Sequence, residues 1–70
     1  MANTYTAITK KVGTWWIGWV EEVPGVNCQE RTKTELLKSL RSALKEMIAF
    51  NRQDAIRAAA DGYTEVPLSA

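Results

Sequence analysis

Few side chains in this sequence could perform chemistry, and they do not form a catalytic set. Seventy residues contain one cysteine and no histidine, so the most common general acid–base is absent. Cys28 could act as a nucleophile only beside an activating base, and its alternation with Val26 in an extended segment points it inward. Glu21 and Glu22 are adjacent, and neighbours in an extended chain point to opposite sides. We therefore predict no catalytic residue and no enzymatic activity.

The same residue counts argue against bound cofactors and against stabilisation by a disulfide bond or a zinc site. One cysteine without histidine builds neither an internal disulfide nor a zinc site from Cys and His ligands. Gly25 and Gly62 are isolated, so no Gly-rich phosphate loop is present. We predict no metal and no cofactor. A core of this size supplies roughly 3–5 kcal/mol, which leaves a homodimer or higher homo-oligomer as the expected source of further stability.

The charge balance bears on nucleic-acid binding. Nine Lys plus Arg against eight Asp plus Glu give a net charge of +1, whereas proteins that neutralise phosphates are usually strongly basic. Lys38, Arg41 and Lys45 nevertheless follow helical spacing and would form a basic ridge. The ridge is either a solvated helix face or a contact surface for nucleic acid. We do not expect direct DNA binding.

The sequence favours a cytoplasmic location. Met1-Ala2-Asn3-Thr4 lacks the basic-then-apolar pattern of a signal peptide. No apolar run approaches the 18 or more residues of a membrane span. A free cysteine without a secretion signal fits a reducing compartment.

Three strands are predicted in the first half of the chain. Residues 4–12 and 15–20 are rich in β-branched and aromatic side chains, and Gly13-Thr14 separates them as a hairpin turn. Pro24-Gly25 is a second turn signal, and residues 26–31 then alternate between apolar and polar as a short third strand.

One long helix follows. Thr32 and Glu35 have the spacing of a capping box. Apolar residues then recur at intervals of three and four, from Leu36 through Ile48. The helix either continues to about residue 60 or breaks near Asn51, and residues 63–66 could add a last strand. The prediction is one α+β domain over residues 1–70, a three-stranded antiparallel meander with a helix on one face, β-β-β-α-(β).

The alternation of side chains along the second strand places the three tryptophans on two faces of the sheet. Trp16, Gly18 and Val20 share one face, and Trp15, Ile17 and Trp19 share the other. Gly18 lets a helix approach, so we assign the Trp16 face to the core. The Trp15 face is then covered by residues 63–68, by the helix end, by a second copy or by another partner, because large exposed apolar patches mark binding surfaces.

The ordered motif from Gly13 to Gly25 resembles the HicB-type antitoxins of toxin–antitoxin systems. Trp16 takes the place of the family aromatic and Gly18 that of the small residue. Glu22-Val23-Pro24-Gly25 matches the acidic–apolar–Pro-Gly element, and Thr32 and Glu35 match the helix opening. Glu30 and Leu36 depart from the family's Gly and Ala.

The resemblance implies a partial ribonuclease-H-like domain without nuclease activity. Full-length members of the family often add a C-terminal DNA-binding domain, but the 22 residues after Ile48 are too few for a separate helix-turn-helix, so we expect none here. The function of such a domain would be to bind and neutralise a small mRNA-cleaving toxin of HicA type. Glu21 and Glu22 would then meet a basic face on the toxin. The alternatives are an orphan homo-oligomeric HicB-like scaffold and a small nucleic-acid-binding protein that uses the basic ridge.

Overall fold

The fold is a three-stranded sheet with one helix packed on one side. The computed structural model describes residues 4–69, so the opening Met1-Ala2-Asn3 lies outside the described part. The elements in chain order are β1 (Ala7–Val12), β2 (Trp15–Val20), β3 (Asn27–Glu30) and α1 (Lys33–Ala59). The sheet is antiparallel in the order β1-β2-β3. The predicted α+β meander followed by one long helix is confirmed.

The first hairpin forms around Gly13, which has a φ of 61°. This left-handed conformation has no steric cost for glycine. β1 begins at Ala7 rather than at residue 4, which corrects the prediction. The Glu21 N–H still donates to the Thr6 carbonyl at 2.9 Å. The Thr6 N–H donates to the Glu22 carboxylate at 2.7 Å, so the ladder ends there.

The turn between β2 and β3 places Val26 in the core. Gly25 has a φ of 92°, and the Val20 N–H donates across the turn to the Val26 carbonyl at 3.0 Å. Val26 is 2% exposed. β3 covers 27–30, one residue shorter at each end than the predicted strand 26–31.

α1 runs without a break through Asn51. The Thr32 side chain accepts from the Glu35 N–H at 3.1 Å and caps the first turn. The last turn ends at Ala60, whose N–H donates to the carbonyls of Ile56 and Arg57. Of the two predicted lengths, the structure therefore has the longer one. None of the helices within residues 4–69 is long and apolar enough to cross a membrane.

The core lies between the inner face of the sheet and the first half of α1. Among the described residues, four apolar side chains are buried, namely Val20, Val26, Leu36 and Leu40. Tyr5, Trp16, Val23, Cys28, Ala43, Leu44 and Met47 pack around them as partly buried neighbours. The core is small, which follows from a single helix covering a single sheet.

The predicted last strand at residues 63–66 does not form, because the helix carries the chain past the sheet. Met47 lies at the level of the β2–β3 turn, where its Cε would be 3.4 Å from a Cβ on Gly25. The helix continues to Ala59, about 18 Å farther at 1.5 Å per residue. The tail then turns back along the helix, where Arg52 and Glu65 form an ion pair at 3.2 Å.

Candidate protein-binding face

The side of the sheet opposite α1 is called here the outer face. The ladder pairs Ile8 with Trp19, Lys10 with Ile17 and Val12 with Trp15. Directly paired residues of an antiparallel ladder lie on the same side. β3 adds Asn27 beside Trp19 and Gln29 beside Ile17. The outer face therefore consists of the following side chains: Ile8, Lys10, Val12, Trp15, Ile17, Trp19, Asn27 and Gln29.

This face is apolar along its centre and accessible to solvent. Val12 is 49% exposed, Trp15 36% and Trp19 41%. The Arg31 guanidinium lies 4.3 Å from the centre of the Trp15 ring, within the range of a cation–π contact. Tryptophan and arginine are both enriched among the residues at the centres of protein interfaces.

Trp16 and Gly18 alternate with the outer-face residues of β2 and therefore lie on the side of the sheet that faces the helix, as predicted. A Cβ on Gly18 would lie 3.1 Å from both Leu36 Cδ2 and Leu40 Cδ1. The Trp16 ring has Lys11 Nζ at 6.0 Å and Lys33 Nζ at 5.9 Å. The three tryptophans are thus divided between two environments by strand alternation alone.

Nothing within the described chain covers the outer face. Residues 63–65 lie instead against Arg52, Ala55, Ile56 and Ala59 on the projecting half of α1. Val66 is 70% exposed and Leu68 is 90% exposed. Of the alternatives for covering Trp15 and Trp19, the tail and the helix end are therefore excluded for residues 4–69.

Glu21 and Glu22 lie in different environments. The Glu22 carboxylate accepts the Thr6 N–H, and this hydrogen bond holds the pKa of Glu22 below its usual value. Glu22 thus ties the start of β1 to the end of β2. Glu21 is exposed in the turn that follows Trp19 and Val20. Of the two, Glu21 is the carboxylate available to a partner on the outer face.

The motif residues position the two turns and the helix. Pro24 and Gly25 form the turn before β3, and Thr32 caps α1 while Glu35 contributes its N–H. The two departures from the family motif both have structural roles. Leu36 is fully buried beneath Gly18. Ser39 donates its hydroxyl to Glu30 at 2.6 Å, which joins β3 to α1.

Cys28 packs against the core from β3. Desolvation, followed by the neighbouring Glu30 charge, raises the pKa of the Cys28 thiol. The thiol is therefore protonated at neutral pH, and the protonated form is a poor nucleophile. Residues 4–69 also contain no group of three or more Cys, Asp or Glu side chains positioned to hold a metal ion.

The predicted basic ridge is exposed on α1. Lys38, Arg41 and Lys45 lie on the helix surface, and the single ion pair found between residues 4 and 69 involves Arg52 instead. Arg41 also borders a cleft of about 170 Å³ between β1 and α1, which Tyr5 and Leu44 help to line. The ridge points away from the outer face, so the two surfaces are separate.

Ile8 and Val12 of the outer face, and Arg31 beside it, escaped the sequence reasoning. The signal for the first two was present, because a two-residue turn at Gly13-Thr14 fixes which β1 residue lies opposite each β2 residue. Arg31 follows the last strand residue, and its stacking on Trp15 depends on the tertiary course of the chain.

Comparisons with family models, with curated proteins and with solved structures find no match to this chain. The HicB-type resemblance therefore depends on the motif residues described above.

Proposed function

We propose that this chain is a non-catalytic protein-binding module whose binding surface is the outer face. The observation that carries the proposal is the accessibility of Trp15 and Trp19, which are 36% and 41% exposed on a face that no described segment covers. Burying apolar surface contributes about 25 cal/mol per Å², so two indoles and the neighbouring aliphatic side chains offer substantial binding energy.

The partner we propose is a small mRNA-cleaving toxin of HicA type, which makes this chain an antitoxin. The support is the ordered motif from Trp16 through Gly25 to Thr32 and Glu35. Exposed Glu21 beside the outer face favours a partner with a basic surface, since complementary charge accelerates encounter.

Co-expression with the short reading frame adjacent to this gene tests the proposal. We expect this frame to encode a small basic protein that arrests growth when it is expressed alone. The protein should co-purify with the tagged chain, and co-expression of the chain should restore growth. Trp19→Lys should abolish co-purification and relief. The matched control is Phe50→Lys, which changes an apolar residue that is 60% exposed on the projecting half of α1. Binding that survives Trp19→Lys would exclude the outer face as the site.

A second candidate is nucleic-acid binding by the ridge of Lys38, Arg41 and Lys45. It is favoured by three exposed cations on one helix face, none of them in an ion pair with a described residue. Binding through phosphates weakens steeply with salt. We therefore expect single-stranded RNA to bind at low salt if the ridge is functional, and the Lys38→Glu and Lys45→Glu double variant to lose that binding. No binding at low salt excludes this function.

A further inference from the structure

The isolated chain exposes far more surface than a compact protein of its size. Its accessible surface is 5882 Å², whereas a compact monomer of 7.8 kDa exposes about 4400 Å². Its radius of gyration is 15.0 Å, against about 11 Å for a globule of 70 residues. The excess of roughly 1500 Å² is larger than the 800 Å² that each partner buries in a standard interface.

Two regions contribute this excess, and they differ in chemistry. The half of α1 beyond Met47 projects into solvent and carries polar side chains such as Gln53, Asp54 and Arg57, with Phe50 as an isolated exposed apolar residue at 60%. The outer face is the other region, and its central strand presents Trp15, Ile17 and Trp19. Val12, Trp15 and Trp19 are all exposed there on one side of a single sheet, so the outer face is the larger continuous apolar surface.

We infer that a second copy of this chain occupies the outer face, packed sheet against sheet about a two-fold axis at Ile17. This inference rests on the proposed function, in which the same face binds the partner. A two-fold interface needs a patch that is complementary to itself. The sequence Trp15, Ile17, Trp19 is symmetric about its middle residue, so each tryptophan of one copy meets a tryptophan of the other. Packed sheets lie about 10 Å apart, a gap that such side chains fill.

Charge selects the antiparallel orientation of the two central strands. Arg31 lies at the Trp15 end of the outer face and Glu21 follows Trp19 at the opposite end. With the axis perpendicular to the strands, the Trp15 end of one copy lies over the Trp19 end of the other. Arg31 of each copy then approaches Glu21 of its neighbour. With the axis along the strands, Glu21 would face Glu21, and like charges repel.

The dimer also leaves no charge buried at its centre. Lys10 is the one charged side chain on the outer-face positions of the three strands. It pairs with Ile17 from the edge strand β1, so the two-fold axis at Ile17 places it opposite Lys10 of the second copy. The flexible stems can carry the two ammonium groups apart to solvent at the rim, which relieves their repulsion. The central contacts therefore consist of Ile17 and the two tryptophans.

The size of the face makes the dimer reversible. Three strands of up to six residues span roughly 14 by 20 Å, a footprint of about 280 Å², which is below the roughly 600 Å² per partner of the smallest stable interfaces and belongs to the weak, transient class. Such an interface supports dissociation on the order of micromolar concentration. The second copy and the proposed partner share the face, so self-association and partner binding exclude each other. The dimer is then the resting form, and the monomer is the form that binds.

Sedimentation equilibrium on the chain alone tests the inference, from low micromolar to about 100 µM. We expect the wild type to be mainly dimer at the highest concentration. Ile17→Lys should weaken the dimer at least about tenfold, and the control Phe50→Lys should leave it unchanged. Circular dichroism establishes that each variant is folded. If Ile17→Lys unfolds, acrylamide quenching of the wild-type tryptophan fluorescence is measured instead. Dilution should dissociate the dimer and expose Trp15 and Trp19, so the quenching should increase.

A charge swap tests the orientation. Glu21→Arg and Arg31→Glu should each weaken the dimer, and the double variant should restore it because the two new charges attract across the interface. A folded wild-type monomer at about 100 µM, or a dimer that tolerates Ile17→Lys, overturns the inference. Two weakened single variants without rescue overturn the antiparallel orientation. A monomer that still binds the toxin leaves the proposed function intact, and a dimer that binds no toxin contradicts only that function.

Discussion

Gly18 lies where the helix approaches the central strand, and we expect it to be intolerant of any side chain. A Cβ there would be 2.9 Å from the backbone carbonyl oxygen of Ile8, which cannot move cheaply, and 3.1 Å from atoms of Leu36 and Leu40. Gly18→Ala should lower the free energy of unfolding by about 1–3 kcal/mol. Chemical denaturation measures this. A Gly18→Ala variant as stable as the wild type would contradict the close-packing explanation.

Ala60 adopts a positive φ at the end of the helix, and glycine should suit this position better. Its φ is 59° and its ψ is −117°, a conformation unfavourable for a residue with a Cβ. Ala60→Gly should slow amide hydrogen exchange in the last helical turn about fivefold, which corresponds to about 1 kcal/mol of released strain. Ala58→Gly, inside the helix, should instead accelerate exchange there. Faster exchange in both variants would show that Ala60 is unstrained.

At the scale of the element, the start of α1 is coupled to the core and its end is not. Thr32 caps the turn that leads directly into buried Leu36 and Leu40. Thr32→Ala should therefore cost about 1 kcal/mol of stability in thermal or chemical unfolding. Thr34→Ala is the matched control, since Thr34 is exposed in the same turn and caps nothing. Equal effects of the two substitutions would argue against the capping role.

The tail should detach from the far end of the helix at acid pH. The hydrogen bond and charge of Arg52 lower the pKa of Glu65 from its usual 4.5. A lowered pKa means that the contact stabilises the docked tail above pH 4.5 and that this stabilisation is lost as pH falls through the lower value. The NMR chemical shifts of residues 63–66 should move toward random-coil values over that range. Glu65→Gln should give those values at all pH values, with little change in the unfolding of the core; a pH dependence of the shifts that persists in this variant would assign it to another group.

For the molecule as a whole, stability should depend on protein concentration. The described chain has only four buried apolar residues, and association of folded copies adds stability by mass action. The thermal midpoint of the wild type should therefore rise between micromolar and about 100 µM protein. Ile17→Lys should remove most of that rise, whereas Phe50→Lys should keep it. A midpoint that is independent of concentration would contradict self-association of the folded chain.

Local signals predicted most of the fold. The hairpin follows from Gly13 between two β-rich segments, and the helix start follows from Thr32 and Glu35, because turns and caps are formed by residues close in sequence. Strand parity separated Trp16 from Trp15 and Trp19 for the same reason. The outer face was thus predictable along β2, and its neighbours Ile8 and Val12 required the hairpin register.

The sequence by itself determined the order of the elements, the inward side of the sheet and the scarcity of catalytic groups. Only the tertiary structure decided whether residues 63–66 form a strand. Their composition suits a strand, but a strand needs an edge to pair with, and α1 continues through Asn51 to a point beyond the sheet. The stacking of Arg31 on Trp15 and the hydrogen bond from Ser39 to Glu30 were likewise decided by packing. These contacts depend on where distant segments meet, and propensity and spacing carry no information about that.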